Sequence, residues 1–264
     1  MVNIALRAAR SAGDKIVRAA ERMDLVKVDE KGRNDFVTDV DRASEQEIIS
    51  HLHKAYPDHR ILGEESGYVG NQDSDYLWII DPLDGTTNFL RGIPHYAVSI
   101  GCLYKGRPEH AVVYDPVKQE EFTASRGRGA LLNGRRIRVT GRTNMNGALF
   151  ATGVPFSLPS SAHMEPYLES FKTLAEQSSG IRRLGVASLD LAYLAAGRFD
   201  AFWEMYLKPW DIAAGVLLVK EAGGMISDFQ GDNNFMENGH IVAATPRLFK
   251  PTLQVVQKHL GHLK

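Results

Sequence analysis

Apolar residues recur at helical spacing over residues 3–22. Ile4, Ala8, Ala12, Ile16 and Ala19 share one face and arginines occupy another, which predicts an amphipathic helix. A second helical period, carried by Ala43, Glu47, Ile48 and Leu52, runs over about 41–54 and is stopped by Tyr56-Pro57. The short apolar run 59–63 reads as a strand that delivers Glu64-Glu65-Ser66 into a loop. Residues 77–139 are mainly strand, at 77–80, 96–104, 111–114 and 120–124. The turn sequences Lys105-Gly106-Arg107-Pro108, Asp115-Pro116 and Gly127-Arg128-Gly129 separate them in an antiparallel pattern. The second half alternates. Strands are expected at 149–152, 182–184, 201–204, 225–227 and 240–243, and helices at 164–177, 189–196, 212–222 and 247–259. With no low-complexity linker and no internal repeat, mixed sheets between helical layers are expected in one domain. Its two closely joined lobes would span about 1–145 and 146–264.

One strand ends in chemistry. In Trp78-Ile79-Ile80-Asp81-Pro82-Leu83-Asp84-Gly85-Thr86-Thr87-Asn88-Phe89 an apolar run gives way to two carboxylates three residues apart, then a glycine and two hydroxyls. Proline has no amide proton and a fixed φ, so the carboxylates are expected in a turn at the carboxyl end of the strand. Gly85 and the residues after it offer N–H groups and hydroxyls, as a helix N-terminus does for phosphate. Carboxylates repel phosphate unless a cation lies between them, so the combination suggests metal-assisted phosphate chemistry. Acidic residues end other elements too: Glu64-Glu65 follow a strand, and Asp211 opens a strongly apolar helix as an N-cap or a metal ligand. Oxygen ligands without His or Cys point to Mg²⁺ rather than Zn²⁺. His51 and His53, two apart on a predicted helix, face different ways and read as surface histidines.

Composition narrows the class. Lys and Arg total 31 against 32 Asp and Glu, so bulk charge gives no reason to expect a nucleic-acid partner. The single cysteine, Cys102, sits in an apolar run and cannot form an intrachain disulfide, which fits a reducing cytoplasm. No stretch approaches the roughly 18–20 apolar residues of a membrane span, and charges interrupt the N-terminus where a secretory leader would be apolar.

Gly63-Glu64-Glu65-Ser66, the run from Trp78 to Phe89, and Trp210-Asp211-Ile212-Ala213-Ala214-Gly215 together resemble the inositol monophosphatase family in order and spacing, over essentially the whole chain. Phe202-Trp203-Glu204-Met205 followed by Lys208-Pro209 is similar to its bacterial inositol-1-monophosphatase branch. The resemblance implies an α/β fold, a layered αβαβα sandwich, usually as a homodimer. It implies two to three Mg²⁺ per active site. Glu64, Asp81 and the Leu83 carbonyl would hold the first, and Asp81, Asp84 and Asp211 the second. Glu64 would also reach a third, weaker ion through water. Thr86 and Asp41 would form the dyad that orients and helps deprotonate the attacking water, with Asp39 as the alternative to Asp41. The N–H groups of Gly85 and Thr86 would bind phosphate, and Glu65 would accept hydrogen bonds behind the metals. Uncompetitive inhibition by Li⁺ is implied as well.

On the substrate side the resemblance gives Glu204 to inositol hydroxyls, and Arg182, Gly185 and Ala187 to neighbouring contacts beside Asp84 and Asp211. Glu204 also reads as an ordinary carboxylate at a strand end, and Arg182-Arg183 equally as a structural pair. The implied reaction is hydrolysis of myo-inositol 1-phosphate by a metal-activated water. Bisphosphate nucleotides, fructose 1,6-bisphosphate and histidinol phosphate are the alternative substrates within the fold. The same branch includes a protein that joins an rRNA transcription antitermination complex, which implies a transcription elongation factor or RNA polymerase complex as a further partner. The basic residues Arg7, Arg10, Arg18, Arg22, Arg126, Arg128, Arg182 and Arg183 serve that reading or form a solvated charged face.

Overall fold

The structure is a computed structural model that describes residues 1–32, 35–154 and 163–263. Alanines make its first helix a close-packing one. In α1 (Val2–Ala20), Ala5, Ala8, Ala9, Ala12 and Ile16 are buried, and a 3-10 turn (Met23–Leu25) follows. The hairpin β1 (Val28–Gly32) and β2 (Asp35–Thr38), which the apolar pattern does not announce, leads into α2 (Asp39–Ala55). That helix starts two residues before the predicted position because Thr38 caps it. Thr38 Oγ1 accepts from the N–H groups of Val40 and Asp41, and the Asp41 carboxylate accepts from the Thr38 N–H at 2.8 Å.

The chain then builds β3 (Arg60–Gly63), β4 (Gly67–Gly70), β5 (Tyr76–Asp84), the short α3 (Thr86–Leu90), β6 (Ala97–Tyr104), β7 (Arg107–Asp115), β8 (Glu120–Ser125), β9 (Gly129–Leu132) and β10 (Arg135–Ile137). Among the described residues these strands form an eight-stranded sheet in the order β10-β9-β8-β7-β6-β5-β3-β4, antiparallel except where β3 runs parallel to β5. Asp-Pro-Leu-Asp does not end β5 in a turn, as its proline led us to expect. The strand continues to Asp84 through a bulge: Asp81 pairs with Ser99 and Asp84 with Ala97, so one strand spends an extra residue. A bulge tolerates a proline because its position needs no ladder donor.

A second sheet follows from β11 (Leu149–Thr152), α4 (Met164–Gln177), β12 (Gly180–Arg182), α5 (Ala187–Ala195), β13 (Ala201–Glu204), α6 (Pro209–Glu221), β14 (Met225–Ser227), α7 (Phe235–Asn238), β15 (Ile241–Ala244) and α8 (Pro246–Leu260). The expected strand at 182–184 lies two residues earlier, because the glycine-containing turn at 183–186 is needed to enter α5. The sheet order is β12-β11-β13-β15-β14, with parallel pairs around β11 and antiparallel pairs around β15.

Alternating side chains assign the layers. On β6 and β7, Val98, Ile100 and Val112 pack under α1 and α2, while Ala97, Ala111 and Val113 face α5 and α6. On β13, Phe202 faces the same central helices and Trp203 points outward to α4 and α8. The architecture is therefore helices, sheet, helices, sheet, helices: the expected αβαβα sandwich. The central helices α5 and α6 are mostly apolar and buried over most of their length because both faces are covered. Cys102 is buried, and burial pushes its thiol up to about 12. Among the described residues no helix is long and apolar enough to cross a membrane.

Candidate active site

The register of the one parallel pair brings the acids together. Gly63 on β3 pairs with Ile80 on β5, so Glu64 and Asp81 leave the carboxyl ends of two neighbouring strands side by side, and the Glu64 N–H donates to the Ile80 carbonyl at 3.1 Å. The bulge after Asp81 then turns Leu83 and Asp84 toward the same cleft. Asp81 Oδ1 accepts from the Leu83 N–H at 3.0 Å, which fixes the bend. Asp211 arrives from the other side, in the first turn of α6, where its carboxylate accepts the Lys208 N–H at 2.6 Å. It sits three residues past the N-cap rather than at it. Ser99 of β6 donates to the Trp210 carbonyl at 3.3 Å and ties the start of α6 to the sheet.

A cleft of about 130 Å³ results, lined by Glu64, Asp81, Leu83, Asp84, Gly85, Thr86, Gly185 and Asp211, with Phe36 and Thr87 at its rim. Gly85 has φ of 96°, in the left-handed region, and a Cβ there would stand 2.8 Å from Val186. Only glycine combines that turn with so close an approach. It places the first N–H groups of α3, which have no intrahelical acceptors, at the cleft. The start of α5 also faces it, and the Ser188 N–H donates to Asp84 Oδ2 at 2.8 Å.

Thr86 Oγ1 lies 3.1 Å from Asp41 Oδ1 and 3.1 Å from the Leu83 carbonyl, so its one proton has two acceptors. Asp41, 1 % exposed, thus holds the α2 cap and faces Thr86 at once; Asp39 instead accepts from the Lys27 N–H at 3.1 Å. Glu65 stands behind the cleft, its N–H donating at 3.0 Å to buried Glu45.

Glu204 ends β13, and its carboxylate occupies the space that a side chain at residue 153 would take: a Cβ on Gly153 would lie 1.7 Å from Oε1. Its charge acts on Asp211, and that of Asp84 acts on it. Ala187 is the first residue of α5. The Arg182 side chain is exposed, and its Nη1 donates to its neighbour's carbonyl, Ile181 O, at 3.3 Å. Arg183 is the arginine whose charge acts on Glu204, and its guanidinium packs over Gly185. Sequence reasoning placed no weight on Arg183 alone, on the Ser188 amide, or on Asn88. The last donates at 2.9 Å to the carbonyls of both His95 and Leu184 and so locks α3 to the turn before α5. Motif position could have flagged Asn88, which closes the Gly85–Asn88 run; Arg183 and Ser188 needed the fold.

Electrostatically the cleft is an unbalanced cluster of acids. Burial, then repulsion from Glu64, Asp84 and Asp211, drives Asp81 well above the usual carboxylate range. Burial raises Asp84 to about 6 against the opposing Ser188 hydrogen bonds. Burial and Asp84 raise Asp211. Desolvation of half-buried Glu204, only partly offset by Arg183, raises it to about 8. Such a cluster is relieved by a cation. Among the described residues no three His, Cys, Asp or Glu side chains are drawn in to form a ready-made cage. One oxygen each of Asp81, Asp84 and Asp211 is turned to a backbone N–H. Oxygen-only donors around a shared cleft fit a hard divalent ion that keeps much of its water.

Residues 1–260 match the sequence profile of the Inositol monophosphatase family. The chain belongs to that family. It is 61% identical over 262 residues to a protein of Pseudomonas aeruginosa named Nus factor SuhB, covering 98% of this chain and 97% of the relative. Among solved structures it resembles the extragenic suppressor protein suhB of Bartonella henselae, with TM-score 0.94, 42% identity and 98% of each chain covered. It also resembles an inositol monophosphatase from Anabaena, with TM-score 0.85 and 34% identity over 99% of this chain and 97% of that one. Family membership makes phosphatase chemistry the activity of the class.

Proposed function

We propose that this protein is a Mg²⁺-dependent phosphomonoesterase that hydrolyses myo-inositol 1-phosphate to inositol and phosphate by direct attack of water. The observation that carries this reading is the convergence of Glu64, Asp81, Asp84 and Asp211 on a cleft floored by the Gly85 turn. Held there with the Leu83 carbonyl, Mg²⁺ would supply neutralisation of the phosphate charge and acidification of water. The N–H groups of Gly85 and Thr86 receive the phosphate oxygens, helped by the positive end of α5. Thr86 Oγ1 accepts a hydrogen bond from the attacking water and passes its own to Asp41, which fixes the line of attack and draws off the proton. Glu204 accepts from the hydroxyls of the polyol. No covalent phosphoenzyme is needed in this reading, because the attacking group is water.

Release of inorganic phosphate from a panel of inositol 1-phosphate, a bisphosphate nucleotide, fructose 1,6-bisphosphate and histidinol phosphate, with and without Mg²⁺, tests the reading. Inositol 1-phosphate is expected to give the highest kcat/KM, and Li⁺ to inhibit uncompetitively. No release from inositol phosphates by Mg²⁺-loaded protein would sink the proposal, and a different best substrate would move it within the family. A cytoplasmic homodimer is part of the same reading.

A second reading rests on the 61% identity to a protein named a Nus factor. In it the chain also works in transcription antitermination, through contact with an elongation factor or RNA polymerase. A catalytically dead Asp84→Asn variant separates the two roles. Rescue of a deletion strain's growth defect by that variant supports the binding role, and failure to rescue supports the enzyme.

A further inference from the structure

Of the four acids at the cleft, Asp81 and Asp84 belong to β5 and Asp211 to α6, but Glu64 lies in the turn between β3 and β4. No strand ladder or helix holds that turn, so its aim depends on other contacts. The Glu64 N–H donates to the Ile80 carbonyl at 3.1 Å. The next N–H along the chain, that of Glu65, donates to Oε1 of Glu45 at 3.0 Å. The two peptide groups that flank the Glu64 Cα are thus both tied down, one by β5 and the other by a side chain of α2. With both planes held, the φ and ψ of Glu64 are set, and with them the direction its side chain leaves the chain.

Glu45 is 1 % exposed, on the buried face of α2. It follows Asp41 by four residues, so the two acids stand one above the other on the same side of the helix. Asp41 reaches Thr86 and Glu45 reaches the turn of Glu64. The chain is shaped to admit that carboxyl group. A Cβ on Gly63 would stand 2.2 Å from Oε1 and 2.6 Å from Cδ of Glu45. Gly63 is not among the residues with positive φ, so the close approach of Glu45 calls for glycine there, not the backbone. An acid at a core position of a helix costs far more to bury than an apolar residue would. What it provides here is an acceptor for one N–H beside Glu64.

We propose that Glu45 is a positioning residue for Glu64: by accepting the Glu65 N–H it fixes the turn that aims the Glu64 carboxylate into the cleft, and so sets the affinity for the divalent cation. This rests on the reading of Glu64 as a ligand of Mg²⁺. Through Asp41 and Glu45, one face of α2 then indexes the group that orients water against the group that holds the cation.

Three variants test it. Glu45→Met keeps the length and removes the strong acceptor, Glu45→Gln keeps an acceptor oxygen, and Gly63→Ala leaves Glu45 in place but drives a methyl group into its carboxyl. The readouts are the Kd of Mg²⁺ for the substrate-free protein by isothermal titration calorimetry, and the Mg²⁺ dependence of phosphate release from inositol 1-phosphate and p-nitrophenyl phosphate. Glu45→Met and Gly63→Ala should each weaken Mg²⁺ about tenfold or more, alike with both substrates, while Glu45→Gln stays within about threefold of wild type. Saturating Mg²⁺ should restore most of kcat. Wild-type Mg²⁺ affinity in the Met and Ala variants, or a Gln variant as impaired as the Met variant, would overturn the proposal. If Glu45→Met does not fold, Gly63→Ala against Glu45→Gln decides it. Should the wild-type protein bind Mg²⁺ and hydrolyse neither compound, the functional reading fails, and the calorimetric comparison still decides the role of Glu45. A wild type that binds no Mg²⁺ overturns the role of Glu45 as well.

Discussion

The corner that would hold phosphate and the wall that would hold the polyol are built in opposite ways. The corner is local: Asp81, Leu83, Asp84, Gly85 and Thr86 fall within six consecutive residues, joined by Glu64 through one parallel strand pair. The wall is assembled over long range, from the turn at 183–185, the start of α5, Glu204 at the end of β13 and the space left by Gly153. Reaction chemistry can therefore be written into a short segment, because a phosphate group is small and needs only a few charges and N–H groups. Recognition of a polyol spreads over several elements, because a ring with many hydroxyls is larger than any one turn.

That contrast can be broken by mutation, and the largest effect belongs to the corner. Asp84→Asn should lower kcat on every phosphate substrate by on the order of 10³-fold, with the fold intact, since a carboxylate that would hold the metal is lost. A substrate-dependent loss, measured by steady-state kinetics across the panel, would assign Asp84 to the wall instead. Thr86→Val should cost about 100-fold in kcat, again for all substrates, because it removes the hydroxyl between Asp41 and the water. Some of that loss would come from the Leu83 carbonyl, whose hydrogen bond also goes, so Asp41→Asn is the companion measurement.

The wall should respond differently. Gly153→Ala drives a methyl group into the Glu204 carboxylate, and KM for inositol 1-phosphate should rise on the order of ten- to a hundredfold as the group is displaced. Turnover of p-nitrophenyl phosphate should hardly change. A control far from both regions should give the smallest effect. The side-chain hydrogen bonds from Arg198 hold Glu120 below the usual glutamate range despite partial burial. Its folded value is depressed, so the pair's contribution is present above the unfolded pKa and lost as pH falls through the folded one. With Arg198 more than a third exposed, Glu120→Gln should cost no more than about 1 kcal/mol near neutral pH, and less in acid. Urea unfolding at pH 7 and pH 4 checks it, and neither half of the active site should notice.

The same contrast explains how far the sequence could be read. The long helices were legible because alanine and isoleucine repeat at helical spacing in α1, and the apolar runs of α6 are closed by proline before and glycine after. The acids proposed as metal ligands stood out in the sequence because acids at element ends break an apolar pattern. What escaped was short or set by partners. The hairpin of β1 and β2 carries mostly polar residues, and the edge strands β4 and β10 span four and three residues. The bulge in β5 escaped because proline argues locally for a turn, while pairing with β6 keeps the strand going. Resemblance pointed to Arg182 on the wall, yet Arg183 is the arginine that acts on Glu204, a choice made by the end of β12 and not by residue type. Glu45 looks like any acid in a helix until the fold buries it.

The central claim, that the corner sets the reaction and the wall sets the substrate, meets its most direct test in one comparison. The kcat/KM of wild type and Glu204→Gln should be measured on inositol 1-phosphate and on p-nitrophenyl phosphate in the presence of Mg²⁺. The account predicts a fall of about tenfold or more with the first and near-equality with the second. An equal fall with both would place Glu204 in the chemistry and contradict the division.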